Sequence, residues 1–96
     1  MEIEVTKSST VKVEVQLPYY SKTSRHFFKV LGPDRSISIY EGTQSCGIEI
    51  RFHTASCFDE SNELSSEAEF KEAFERISAR LIMETFHTSQ QLSQQP

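Results

Sequence analysis

Between Tyr19 and Lys29 the chain reads YYSKTSRHFFK, four aromatic rings interleaved with three cations and a histidine. Rings flanked by positive charge can hold single-stranded nucleic acid, the bases stacking on the rings and the phosphates meeting the cations. Tyr19, Tyr20, Lys22, Arg25, Phe27 and Lys29 are therefore candidate partner-binding residues. The plainer reading is that Phe28 is core, that Tyr19 and Tyr20 shield a sheet edge, and that the cations are solvated or meet the acidic stretch 59–75. A protein partner is the first expectation and single-stranded nucleic acid the alternative.

Other chemistry is thinly represented. Cys46 with His53, or Cys57 with His26, could in principle form a thiol–imidazole pair. No local signature surrounds either, and activation of a thiol needs a geometry that spacing cannot supply. Cys46, His53 and Cys57 match no ligand spacing of zinc modules, and no fourth ligand is identifiable. The three glycines stand singly at 32, 42 and 47, so no glycine-rich loop exists to cradle a phosphate. The expectation is a non-enzymatic chain with no catalytic residue, metal or cofactor.

Charge and composition narrow the classes further. The net charge of −4 gives no general attraction to nucleic acid or to anionic membranes. It is unevenly spread, residues 1–40 carrying +2 and residues 41–96 carrying −6. No apolar run approaches the roughly 20 residues of a membrane-spanning helix, and the start lacks the basic and apolar blocks of a secretion signal. A soluble cytoplasmic protein with both cysteines reduced is expected.

These side chains must be positioned by elements legible from periodicity. Ser66 followed by Glu69 is a capping box, the hydroxyl and the carboxylate each satisfying a backbone N–H at a helix start. Phe70, Phe74, Ile77 and Leu81 follow at helical spacing, which predicts one helix from Ser66 to about Phe86 with an apolar stripe. Truncating either phenylalanine to alanine is expected to cost about 3–5 kcal/mol.

Upstream, period-two alternation marks strands at 1–6 and 11–17, favouring a hairpin across Lys7-Ser8-Ser9. Tyr19 to Ser24 reads as a polar loop. Arg25 to Leu31 is apolar on both sides, the mark of a central strand. Gly32-Pro33-Asp34 is a turn, and strands follow around Ile37–Ile39 and Ile48–Phe52. The expected fold is α+β, an antiparallel four- to five-stranded meander with one long C-terminal helix across one face. Its buried sheet face would comprise Val11, Val13, Val15, Phe28, Val30, Ile37, Ile39, Ile48, Ile50 and Phe52. Residues 1–88 would form one domain and 89–96 a flexible tail.

Ala79, Ile82, Met83 and Phe86 lie off the stripe, on turns that should overhang the sheet. They are candidates for a homodimer interface. The chain reads as a small protein-interaction or regulatory module of unassigned process.

Overall fold

The computed structural model describes residues 2–6 and 10–87, with the side chains of residues 5, 6, 10, 11, 13 and 87 outside that description. Strand β1 (Glu2–Thr6) pairs antiparallel with β2 (Thr10–Glu14) as a separate two-stranded hairpin, Ile3 opposite Val13. Strands β3 (Tyr19–Lys22), β4 (His26–Gly32), β5 (Arg35–Glu41) and β6 (Cys46–Arg51) form an antiparallel meander. A two-residue strand β7 (Glu63–Leu64) joins it beside β3, giving the order β6-β5-β4-β3-β7. Helix α1 (Glu67–Ile82) follows and is continued by a wider π-type turn at Met83–His87. The fold is α+β, an antiparallel five-stranded sheet with one long C-terminal helix across one face.

Local chemistry accounts for the turns. Pro33-Asp34 bridges β4 and β5 in two residues, with Gly32 opposite Arg35. Between β5 and β6 the N–H of Gly42 donates to the Ser45 carbonyl at 2.9 Å. A Cβ on Gly42 would sit 2.8 Å from that carbonyl oxygen and 2.6 Å from the Tyr40 hydroxyl, so the turn closes only over a glycine. At the helix start Ser66 Oγ accepts from the Glu69 N–H at 3.2 Å. The Glu69 carboxylate accepts from Lys22 Nζ and from Ser65 Oγ, so the second member of the capping box also fastens the helix to β3.

The helix buries Phe70, Ala73 and Ile77, with Leu81 beside them, against Tyr20, Phe27, Ile37, Ile39, Cys46 and Ile48. The stripe therefore runs through Ala73, whose methyl lets the backbone approach the sheet, and Phe74 is 43% exposed. The expectation that both phenylalanines are buried is corrected to Phe70 alone. Anchors at the two ends set the crossing direction. Lys22–Glu69 holds the start over β3, while Arg80 donates to the carbonyls of Gly42 (2.7 Å) and Thr43 (3.3 Å) in the β5–β6 turn. Between them Arg76 forms two hydrogen bonds to Glu41, at 3.0 and 2.9 Å. The helix thus crosses diagonally, from β3 to the β5–β6 turn at the Cys46 end of β6.

The opposite face carries its own core: Ile3, Val15, Phe28, Val30 and Cys57, with Leu17, Tyr19, Ala55 and Phe58 packed around it. The N-terminal hairpin and the short 3₁₀ turn Ala55–Phe58 supply this cover. Three expectations change here. The two-sided strand is central, as its pattern implied, but Phe28 and Val30 face away from the helix while Phe27 faces it. Val15 belongs to this second core, and the side chains of Val11 and Val13 lie outside the described residues. Ile50 and Phe52, expected under the helix, are 62% and 73% exposed because the diagonal passes them by.

Tyr19–Lys22 is a strand instead of a loop. Ser21 disguised it, since its hydroxyl is buried and donates to the Cys57 carbonyl at 2.7 Å. Ser36 does the same in β5, donating to the His53 carbonyl at 2.8 Å. A buried polar group matched by a carbonyl costs little, so a serine can occupy an inward position. The segment 89–96 lies outside the described residues.

Candidate functional site

Because α1 crosses diagonally, one corner of its sheet face is left open. Leu31, Arg35, Ile37, Ile50 and Phe52 line a shallow apolar groove of about 360 Å³ there. Arg35 lies over the Phe52 ring, 5.7 Å from its centroid, covering one side of it. The groove borders β6, which among the described residues has a strand neighbour on one side only. An unpaired edge offers a row of backbone donors and acceptors, and here exposed apolar side chains stand beside it.

A second apolar patch lies at the end of the helix. Ile82, Met83 and Phe86 are each more than half exposed, and Ala79 is exposed with them. At 100° per residue they fall on the side of the helix turned away from Phe70, Ala73 and Ile77. The four residues expected to form a contact surface thus stand together in solvent.

On the other face of the sheet lies an open groove of about 560 Å³. His26, Ser38, Tyr40, Gly47, Glu49 and Arg51 line it. The His26 ring stacks on Phe28, 5.6 Å between centroids and 1° from parallel, and meets Tyr40 at 5.0 Å. The β3–β4 turn sets the ring, Thr23 Oγ1 accepting from the His26 N–H at 3.1 Å and lying 3.4 Å from Nδ1. Burial, and then the charge of Arg51, push the imidazole below the ordinary histidine range. Arg51 lies 3.6 Å from Glu49 and donates to Ser56 Oγ at 3.2 Å. Such a floor can accept a polar or planar group.

The aromatic and basic segment is divided between the two faces. Tyr20, Lys22, Phe27 and Lys29 share the helix side, paired across the strands as Tyr20–Lys29 and Lys22–Phe27. Tyr20 is buried against Phe70, ring centroids 5.8 Å apart, and Lys29 Nζ lies 5.8 Å from the centre of the Tyr20 ring. Lys22 is bound to Glu69, and that hydrogen bond raises its pKa while lowering that of the carboxylate. Phe27 has the Arg76 guanidinium over its ring at 6.0 Å. Tyr19 lies on the opposite face, stacked on Phe58 at 5.0 Å, and Arg25 is exposed in the turn. The six side chains therefore do not form one platform.

The two thiols sit in different settings. Cys46 begins β6 and His53 lies seven residues on, about 20 Å along an extended chain. Cys57 is fully buried among Phe28 and Val30, and burial pushes its thiol up, away from the reactive thiolate. Among the described residues no group of three or more His, Cys, Asp or Glu side chains could hold a metal ion. None of the described helices is long and apolar enough to cross a membrane.

The open corner was not visible in the sequence. Ile50 and Phe52 alternate with Glu49 and Arg51 as an ordinary half-buried strand does, and only the angle of α1 exposes them. Comparison of the chain with family models, curated proteins and solved structures gives no match.

The same geometry carries a pH dependence. The Glu41 and Glu69 carboxyls are held below the ordinary range by hydrogen bonds from Arg76 and Lys22. Their contribution to stability is present above the unfolded value near 4.5 and is lost as pH falls through the lowered folded values. His26 acts in the same direction at higher pH. Its folded pKa is lowered, so below the unfolded value near 6.5 the unfolded chain takes up the proton first, and stability declines until the folded pKa is passed. The urea midpoint is therefore expected to fall in two stages on acidification from pH 7. His26→Gln should remove the upper stage, and a midpoint flat between pH 7 and pH 5 would contradict this.

Proposed function

We propose that this chain is a small non-enzymatic interaction module that docks a protein partner through apolar surface on the helix side of the sheet. The observation that carries this reading is the open corner. Leu31, Ile50 and Phe52 are exposed together beside a strand edge that is unpaired among the described residues, and such an edge recognises an extended partner through backbone hydrogen bonds and alternate side chains. The apolar helix end at Ala79, Ile82, Met83 and Phe86 is the second docking surface, and contact with another protein fits its position outside the fold. A cytoplasmic, accessory role is the setting proposed for it.

Single-stranded nucleic acid draws less support as the ligand. Of the residues it would use, Lys22 is engaged by Glu69, and Tyr20 is covered by Phe70 and Lys29.

Affinity capture from native extract, with and without nuclease, tests the reading. The captured protein should survive nuclease and be lost from Phe52→Ser or Met83→Ser. Both substitutions are at exposed positions and should leave the free energy of unfolding within about 1 kcal/mol of wild type. Capture that disappears on nuclease treatment and falls steeply with salt would transfer the function to nucleic acid.

A further inference from the structure

Strand β6 and the bend residue that follows it read Cys46-Gly47-Ile48-Glu49-Ile50-Arg51-Phe52, complementary about Ile50, with Glu49 reversing onto Arg51 and Ile48 onto Phe52. We infer that the occupant of the open edge is a second copy of this chain. Its β6 pairs antiparallel with Ile50 on the two-fold axis, making one continuous sheet across both copies. This rests on the docking reading of that corner and names the partner.

The register follows from charge and from face. In an antiparallel pair, residues directly opposite lie on the same face, so a two-fold axis normal to the sheet must pass through a residue pair. With the axis at Glu49 or at Arg51, that residue meets its own copy and like charges oppose each other. With the axis at Ile48, Glu49 faces Gly47 and no charge is matched. At Ile50 both charges are matched, Glu49 opposite Arg51 of the partner subunit and Arg51 opposite Glu49 of the partner subunit. Cross-strand pairs of this kind are the unit of sheet stabilisation, and the two-fold contact makes the Glu49–Arg51 pair twice.

The apolar side fits the same register. Ile50 meets Ile50 on the helix face, and Phe52, at the bend just past β6, lies beside Ile48 of the partner subunit, so the residues 62% and 73% exposed in one copy are those that pack across the junction. The helix end, on the far side of α1, remains free for a different partner.

Sedimentation equilibrium of the purified chain at high micromolar concentration, with reciprocal charge reversals, tests the pairing. The wild type should dimerise. Glu49→Arg places two like-charged pairs at the junction, as does Arg51→Glu, and each should weaken the dimer about tenfold or more. Mixed in equal amounts the two variants match each other's charges at both pairs and should form a heterodimer neither forms alone. Arg51 also donates to Ser56. If Arg51→Glu fails to fold, Glu49→Gln takes its place and should weaken the dimer less than Glu49→Arg does. A monomeric wild type, or a dimer indifferent to both reversals, overturns the inference. A monomer that still loses a captured protein on Phe52→Ser also overturns it, while leaving the docking reading intact.

Discussion

Phe70→Ala is expected to lower the free energy of unfolding by about 3–5 kcal/mol, whereas Phe74→Ala, four residues on, should cost about 1 kcal/mol or less. Phe70 is 7% exposed and wedged on Tyr20, so its removal leaves a void that the anchored helix cannot close. Phe74 is 43% exposed, and much of its ring is already in water. Against a total stability of about 5–15 kcal/mol for a domain, the first change threatens folding and the second does not. Urea denaturation of the two variants separates them. Equal losses would mean that the helix is rotated so that both phenylalanines face the sheet.

The second large effect lies at the other end of the chain. Ile3 is fully buried with Val15, Phe28 and Val30, so Ile3→Ala should cost about 2–5 kcal/mol. The neighbouring Glu2 and Glu4, on the exposed side of the same strand, should tolerate alanine within about 0.5 kcal/mol. The contrast checks that the N-terminal hairpin closes the second face of the sheet. If Ile3→Ala were as silent as its neighbours, the hairpin would not be holding Phe28 and Val30 away from water.

The helix was legible because its signals are local. The cap at Ser66, the buried Phe70 and Ile77, and the off-stripe exposure of Ile82, Met83 and Phe86 all follow from spacing within one element. The central strand was legible for the same reason, since Phe27 and Phe28 side by side require cover on both faces. What escaped depends on other elements. Ser21, Ser36 and Ser38 look like solvent-facing positions until carbonyls and tall neighbours across the sheet bury them, and at Ser21 this hid β3. The hairpin was legible as a hairpin, but its place on the opposite face is set by Ile3 and Val15 finding Phe28 and Val30, a long-range choice.

The candidate surfaces divide along the same line. The helix end could be read from the residues alone. The aromatic and basic segment could not, because a turn and a strand reversal inside it send alternate side chains to opposite faces. The open corner needs the crossing direction of α1. That direction is fixed by Lys22–Glu69 at one end and by Arg80 on the Gly42 and Thr43 carbonyls at the other, contacts spanning 47, 38 and 37 residues.

The role given to the β6 edge is tested most directly by amide hydrogen exchange of the purified chain at low and at high protein concentration. Exchange should slow with concentration at 48–52 and stay constant along α1 and in the helix end at 79–86. Protection that does not change with concentration, or that appears at 79–86 and leaves β6 untouched, would contradict it.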